Sequence, residues 1–234
     1  ALTEEGIEVH TGVGAKGVSS STGGIEMTLG DGRTLRSERL LVATGRKTAL
    51  GSLGVGAAGL DEDARSLEVD GHMRAADGIW AIGDVTAHGG FTHVAVYQGR
   101  IAAADILGQE QAPADYSAVP RVTFTDPEVA SVGFTEESAR AKGITVATAV
   151  AQTGSSARGW IHGPGAEHGV TKLVADADAG VIIGASSMGP RAGDVIGMLV
   201  LAIKERVPIS SLKEMIYPYP TFVRGVEDAL REFD

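Results

Sequence analysis

The stretch "IYPYPTFVR", residues 216–224, sets a phenol, a hydroxyl and a guanidinium close together near the C-terminus. Two prolines bracket Tyr219, Thr221 follows, and Arg224 lies five residues beyond the tyrosine. Prolines fix φ, so one reading is a rigid turn that closes the preceding helix. The other is a turn that presents Tyr219 to a reacting molecule, and spacing alone leaves both open. Chemistry that the chain cannot supply is easier to state. It has no cysteine, so it offers no thiolate nucleophile, disulfide or zinc–sulfur site. His162 and His168 in "IHGPGAEHG" fall in an expected hairpin loop, too few for a metal site without further ligands, and no metal is assigned.

Glycine supplies 33 of the 234 residues, without any period. Two segments match G-x-G-x-x-G, "GVGAKG" at 12–17 and "GVGAAG" at 54–59. That fingerprint requires a strand before it and a helix after it, so that a pyrophosphate rests on the helix N-terminus. The first runs into turn and strand, and the second follows no apolar strand. Both read as turns, and no self-sufficient nucleotide site is evident.

The elements that must carry these residues divide into two textures. "IEVH", "IEMTL" and "RLLVA" read as strands of a β-meander over 7–43, with Asp31–Gly32 as a hairpin turn. Residues 50–77 read as irregular, with "DEDARSLEVDG" a solvated stretch ending in a short strand. "GIWAIGD" gives a short apolar strand, Ile79 to Ile82, ending at Gly83–Asp84. A helix is expected over 92–107, stopped by Gly108, and residues 109–119 read as a linker. Beyond it lie strands in "VPRVTFT", "ITVATAVAQ", "GVTKLVAD" and "GVIIGASSM". A short helix in "TEESARAKG" is capped by Thr135. A longer helix over 191–206 puts Val195, Met198, Leu199, Ala202 and Ile203 on one face. A last short helix precedes "YPYP". The second half is therefore α+β.

Composition is that of a globular protein, 43% hydrophobic and 21% charged. The formal charge of −10 disfavours nucleic acid and anionic membrane as partners. No apolar run is long enough to span a bilayer. "ALTEEGIEVH" reads as neither a signal nor a transit peptide, so a cytoplasmic location is expected.

Taken in order, "LLVATGRKTA", "GIWAIGDV", "FTHVAVYQGRIAA", "VPRVTFTDPEVASVGFTEESARAKG", "GASSMGPRAGDVI" and "YPYPTF" resemble the flavin-dependent pyridine nucleotide–disulfide oxidoreductases. The nearest branch is the dihydrolipoamide dehydrogenase and mercuric reductase group. The resemblance implies a C-terminal fragment of α/β plus α+β class. Residues 1–45 would end the NAD(P)H-binding domain, 46–112 would be the returning part of the FAD-binding domain, and 113–234 the interface (dimerisation) domain. It implies FAD and NAD(P)H as cofactors of the parent enzyme, which the isolated fragment need not bind. A homodimer and a small-molecule electron acceptor are the implied partners.

Site residues follow from the same resemblance. Asp84, after Gly83, would face the flavin's ribityl hydroxyls. The start of the helix at Phe91, Thr92 and His93 would face the flavin's pyrimidine edge, where charge builds on reduction. Thr44, Gly45 and Arg46 would bind cofactor where the chain leaves the NAD(P)H domain for the FAD domain, near the flavin or the NAD(P)H. Tyr219, Thr221 and Arg224 occupy the positions of the family's His-Pro-Thr-x-x-Glu. That departs from the family's chemistry. An imidazole titrates near pH ~6.5 and a phenol near ~10, while a guanidinium stays charged. Disulfide reduction with lipoamide or glutathione is then disfavoured. The implied acceptor is another disulfide, a metal ion as in a mercuric-reductase-like role, or a quinone-like molecule, with a non-catalytic dimerisation module as the alternative for the chain by itself.

Overall fold

A computed structural model describes residues 1–233, and its two compact units are residues 1–49 and 50–234. In the first unit three strands form an antiparallel meander, β1 (Ala15–Ser21), β2 (Gly24–Leu29) and β3 (Thr34–Ser37). The hairpin expected at Asp31–Gly32 joins β2 to β3, and the Asp31 carboxylate accepts from the Arg33 amide at 3.1 Å. Leu29 is the one fully buried residue among those described in this unit. "IEVH" and "RLLVA" are not strands. The second has the apolar content of a buried parallel strand, but Leu41 and Val42 are 89% and 70% exposed. A strand needs a ladder partner as well as an apolar side chain, and these runs join no sheet.

The second unit opens with short 3-10 turns at Leu50–Leu53 and Val55–Ala58, so "GVGAAG" is a turn, as expected. The strand expected near "LEV" is absent. The pair that forms is β4 (Arg74–Ala76) with β5 (Ile79–Trp80), shorter than the Ile79–Ile82 strand expected. Helix α1 (Thr92–Ile106) ends just before Gly108, whose φ is +66°. Asp105 on α1 takes both Arg74 Nε and Nη2 at 2.6 Å and the Trp80 indole N–H at 2.8 Å. This bidentate ion pair ties the hairpin to the helix. Residues 109–119 are irregular but anchored: the Tyr97 hydroxyl accepts from the Asp115 amide at 2.9 Å.

The remainder is a five-stranded antiparallel sheet in the order β6 (Pro120–Thr123), β7 (Glu128–Gly133), β10 (Val181–Gly189), β9 (Val170–Asp176), β8 (Val146–Gln152). Its pleat sends alternate residues to opposite faces. Leu173, Ala175 and Ile182 join the main core under α4 (Ala192–Lys204) and α6 (Arg224–Leu230). Val174, Val181 and Ile183 meet Ala139 of α2 (Glu136–Ala141) on the other face. Thr135 caps α2 as expected, in a reciprocal box with Ser138. Val195, Leu199, Ala202 and Ile203 are buried on α4, with Met198 partly so. Three elements are not evident in the sequence: β7, α6, and α3 (Ala157–His162). His162 therefore ends a helix rather than sitting in a hairpin loop. Ser156 caps that helix on the Gly159 amide at 3.1 Å, a polar stretch folded by its cap. Helix α5 (Ile209–Glu214) leads into the Tyr219 segment.

Candidate functional site

After β5 the chain enters a 3-10 turn, Gly83–Thr86, with Asp84 in its first residues. Gly83 takes φ +77°, a left-handed conformation that glycine adopts without penalty. The turn is held from below by Gln98 of α1, which is fully buried. Gln98 Oε1 accepts from the Gly83 amide at 2.6 Å, and its Nε2 donates to Thr86 Oγ1 at 3.0 Å and to the Tyr116 hydroxyl at 2.8 Å. Thr86 in turn donates to the Gly83 carbonyl at 2.9 Å. A buried amide satisfied on both its oxygen and its nitrogen specifies one arrangement. Its consequence is that Asp84 stays exposed while Gly83 and Thr86 are buried.

No side chain caps α1. The first amides of a helix have no acceptor within it, so those of Thr92 and His93 point outward at its positive end. Thr92 and His93 are exposed and Phe91 is half-buried, its ring stacked on His93 with centroids 5.2 Å apart. His93 Nε2 donates to the Pro120 carbonyl at 3.0 Å. Its imidazole thus ties α1 to β6, while the backbone remains the group with donors to offer. A cleft of about 500 Å³ opens here, lined by Phe91, Thr92 and His93 with Phe124, Ile196 and Val200. An exposed carboxylate, a left-handed glycine and uncapped helix amides suit a large cofactor that carries hydroxyls and gains negative charge. Thr44, Gly45 and Arg46 belong to the first unit, exposed and in irregular backbone.

The C-terminal segment brings Tyr219, Thr221 and Arg224 together. Tyr217 is buried, 6% exposed, and its hydroxyl donates to the Leu212 carbonyl at 3.0 Å. Burial pushes its phenol up to about 12. Tyr219 is 67% exposed and precedes a cis proline, Pro220. Thr221 Oγ1 donates to the Pro218 carbonyl at 2.8 Å and accepts from the Arg224 amide at 3.3 Å, so its hydroxyl closes the turn into α6. Phe222 lies between Arg158, its Cζ 5.5 Å from the ring centroid, and the His162 ring at 5.5 Å. Arg224 lies over the Tyr219 ring, Cζ 5.2 Å from the centroid. Glu227, one turn on, meets Arg224 Nη1 with Oε2 at 3.1 Å, a charge contact without hydrogen-bond geometry, and pairs with Arg231 through Oε1. Its side chain is only 12% exposed.

Four side chains that organise these places are missing from the sequence-level set: Gln98, Tyr217, Glu227 and Arg158. Two left a signal. Gln98 is a polar residue within an apolar helical stripe, and Glu227 stands three residues after an arginine, where helical neighbours pair.

The pyridine nucleotide-disulphide oxidoreductase model matches residues 1–99, and the dimerisation-domain model of the same family matches residues 119–230. Mercuric reductase of Bacillus cereus is 36% identical over the whole chain, which spans 38% of that protein. Dihydrolipoyl dehydrogenase of Thermus scotoductus is 35% identical over 98% of the chain, which spans 50% of it. Among solved structures, LpdA from Mycobacterium tuberculosis superposes with a TM-score of 0.86 at 28% identity, over 98% of this chain and 50% of that one. The HOCl-induced flavoprotein disulfide reductase RclA from Escherichia coli gives 0.87 at 25%, over 100% and 54%. The chain thus spans about half the length of these relatives or less. With the turn at Asp84, the uncapped start of α1 and the five-stranded sheet all falling within the matched segments, the chain belongs to the pyridine nucleotide–disulphide oxidoreductase family.

Proposed function

We propose that the chain works as part of an FAD-dependent NAD(P)H oxidoreductase and supplies flavin contacts and a dimer surface. The observation that carries this is the Gln98-locked turn, which holds Asp84 outward beside the uncapped start of α1. Bound FAD would take hydride from NAD(P)H and pass electrons to an acceptor. The chain's part is positional: Asp84 accepts from the ribityl hydroxyls, and the Thr92 and His93 amides face the ring edge that becomes anionic. In this reading residues 1–45 end the NAD(P)H domain with Thr44, Gly45 and Arg46 at its exit, 46–112 return to the FAD domain, and 113–234 form the interface domain.

A homodimer places Tyr219 at the other subunit's flavin. The exposed apolar side chains Trp160, Ile216 and Phe124 on the same domain support such a surface. The acceptor is quinone-like or a metal ion rather than lipoamide, because Tyr219 and Arg224 form no acid–base pair of the imidazole–carboxylate kind. A second reading has a specific support. The sheet β6–β10 with α4 and α6 has a closed core of its own, whereas the first unit buries only Leu29. The 234-residue chain by itself is then a dimerisation module without activity.

The test is the absorbance of the purified full-length protein and of its Asp84→Ala variant. A flavin spectrum that weakens by tenfold or more in affinity in the variant supports the reading, on the usual scale of ~1.5–3 kcal/mol for hydrogen bonds to charged groups. A colourless full-length protein contradicts it. A colourless, dimeric 234-residue chain supports the second reading for the isolated piece.

A further inference from the structure

We infer that Arg224, held by Glu227 against the Tyr219 ring, selects an electron acceptor that carries a negative charge, such as a carboxylate or sulfonate. The inference rests on the proposed oxidoreductase reading and says which substrates its acceptor site takes.

The chain carries ten net negative charges, and the sequence about the Tyr219 segment holds both signs, Lys213, Arg224 and Arg231 with Glu214, Glu227, Asp228 and Glu232; the charged group set over the exposed ring is Arg224. Arg224 and Arg231 share the one carboxylate of Glu227, which leaves one positive charge over within the trio. Arg158 and His162 flank Phe222, two residues from Arg224 in sequence. Glu227 is largely buried and Arg224 partly exposed, so the acid is turned inward and the guanidinium outward. The guanidinium carbon stands 5.2 Å from the centre of the Tyr219 ring, a placement that favours a cation. Glu227 is therefore a positioning residue: it contacts Arg224 at 3.1 Å and steadies it without reaching the exposed ring itself.

A fixed guanidinium beside an exposed phenol offers planar N–H donors and a ring edge to one small molecule. An oxyanion on a planar acceptor matches both. A cationic acceptor meets repulsion, and a neutral one gains only the ring contact.

The experiment uses the full-length flavoprotein with NAD(P)H and two acceptors, a naphthoquinone and its sulfonated derivative. The readout is the ratio of kcat/KM for the sulfonate to that for the neutral quinone, compared across variants so that differences in redox potential cancel. Arg224→Glu lowers the ratio by about tenfold or more, mainly through KM for the sulfonate, the size expected for loss of one close charge contact. Arg224→Lys lowers it less, and Glu227→Gln lowers it by roughly threefold, as a support that acts through the arginine would. On the wild-type protein the ratio falls as salt is raised, a readout that needs no variant to fold. A ratio that Arg224→Glu leaves unchanged, or one insensitive to salt in the wild type, overturns the inference while the oxidoreductase reading stands. A protein that holds no flavin, or reduces neither quinone, overturns both.

Discussion

Tyr217 and Tyr219 stand two residues apart and face opposite ways: one is sealed beneath α5 with its hydroxyl on the Leu212 carbonyl, the other stands in solvent under Arg224. The prolines and Tyr217 make the turn, and Tyr219 is what the turn presents. The two tyrosines should therefore respond differently to substitution. Tyr217→Phe removes one buried hydrogen bond and costs about 1–2 kcal/mol. Tyr217→Ala costs about 3–5 kcal/mol, as for other large aromatic truncations. Tyr219→Ala changes stability by less than about 1 kcal/mol, the usual range for surface sites. Denaturant unfolding of the three variants checks the order. A Tyr219→Ala loss as large as that of Tyr217→Ala contradicts the division of roles.

Gln98 is the buried support of the Asp84 turn. Gln98→Leu keeps most of its volume but strands the Gly83 amide, and should cost about 2–3 kcal/mol. The same variant should loosen flavin in the full-length protein, since the turn that aims Asp84 loses its anchor. Thermal unfolding and flavin retention on dialysis measure the two effects separately.

Gly225, the second residue of α6, stands hard against β8's exit. A Cβ there would overlap Thr153 Cγ2, and Thr153 is itself buried with a stiff branched side chain. Gly225→Ala should destabilise by about 1–3 kcal/mol through overpacking, despite the better helix propensity of alanine. Gly225→Ala combined with Thr153→Ser removes the clashing methyl and should recover part of the loss. Equal stability of single variant and wild type contradicts the contact.

Asp115 and Lys204 join the 109–119 segment to the end of α4 at 2.5 Å. The Lys204 ammonium first, then the Ser117 amide, lowers the Asp115 carboxyl from 3.8 to about 2. A depressed carboxyl stabilises the fold above its unfolded value and loses that contribution as pH falls, here between about 4 and 2. Lys204 is raised by the same partner, so its share is present at neutral pH and lost as pH rises beyond its ordinary value. Both side chains are partly exposed, which limits the pair to about 1 kcal/mol or less. Lys204→Met should flatten the acid limb of stability against pH between those values. An unchanged acid limb contradicts the coupling.

Local signals in the sequence predict local structure well. Thr135 makes the expected cap, Asp31–Gly32 the expected hairpin, and Gly108 the expected stop. Failures arise where structure depends on partners. "RLLVA" has strand composition without a ladder to join, and β7 is a strand because β6 and β10 flank it. Helix α3 has almost no apolar face, with Trp160 exposed, and is set by its Ser156 cap. At the candidate site, Asp84, Tyr219 and Arg224 are named from the sequence by resemblance. Their supports are not, because Gln98 and Glu227 act through contacts that only the fold brings about. Thr221 is named from the sequence for its place beside Tyr219, and its hydroxyl is engaged within the turn.

Electron flow through a flavin to an acceptor other than a dithiol-linked disulfide is the activity we propose for the full-length protein. Its most direct measurement is anaerobic reduction of the full-length protein by NADH or NADPH, followed at the flavin absorbance, then addition of lipoamide or of a quinone. The flavin should bleach, the quinone should restore its colour within the enzyme's turnover time, and lipoamide should do so at least a hundredfold more slowly, the low end of the ~10²–10⁴-fold that a positioned acid–base group contributes. Rapid reoxidation by lipoamide, with Tyr219 in the histidine's place, would contradict it.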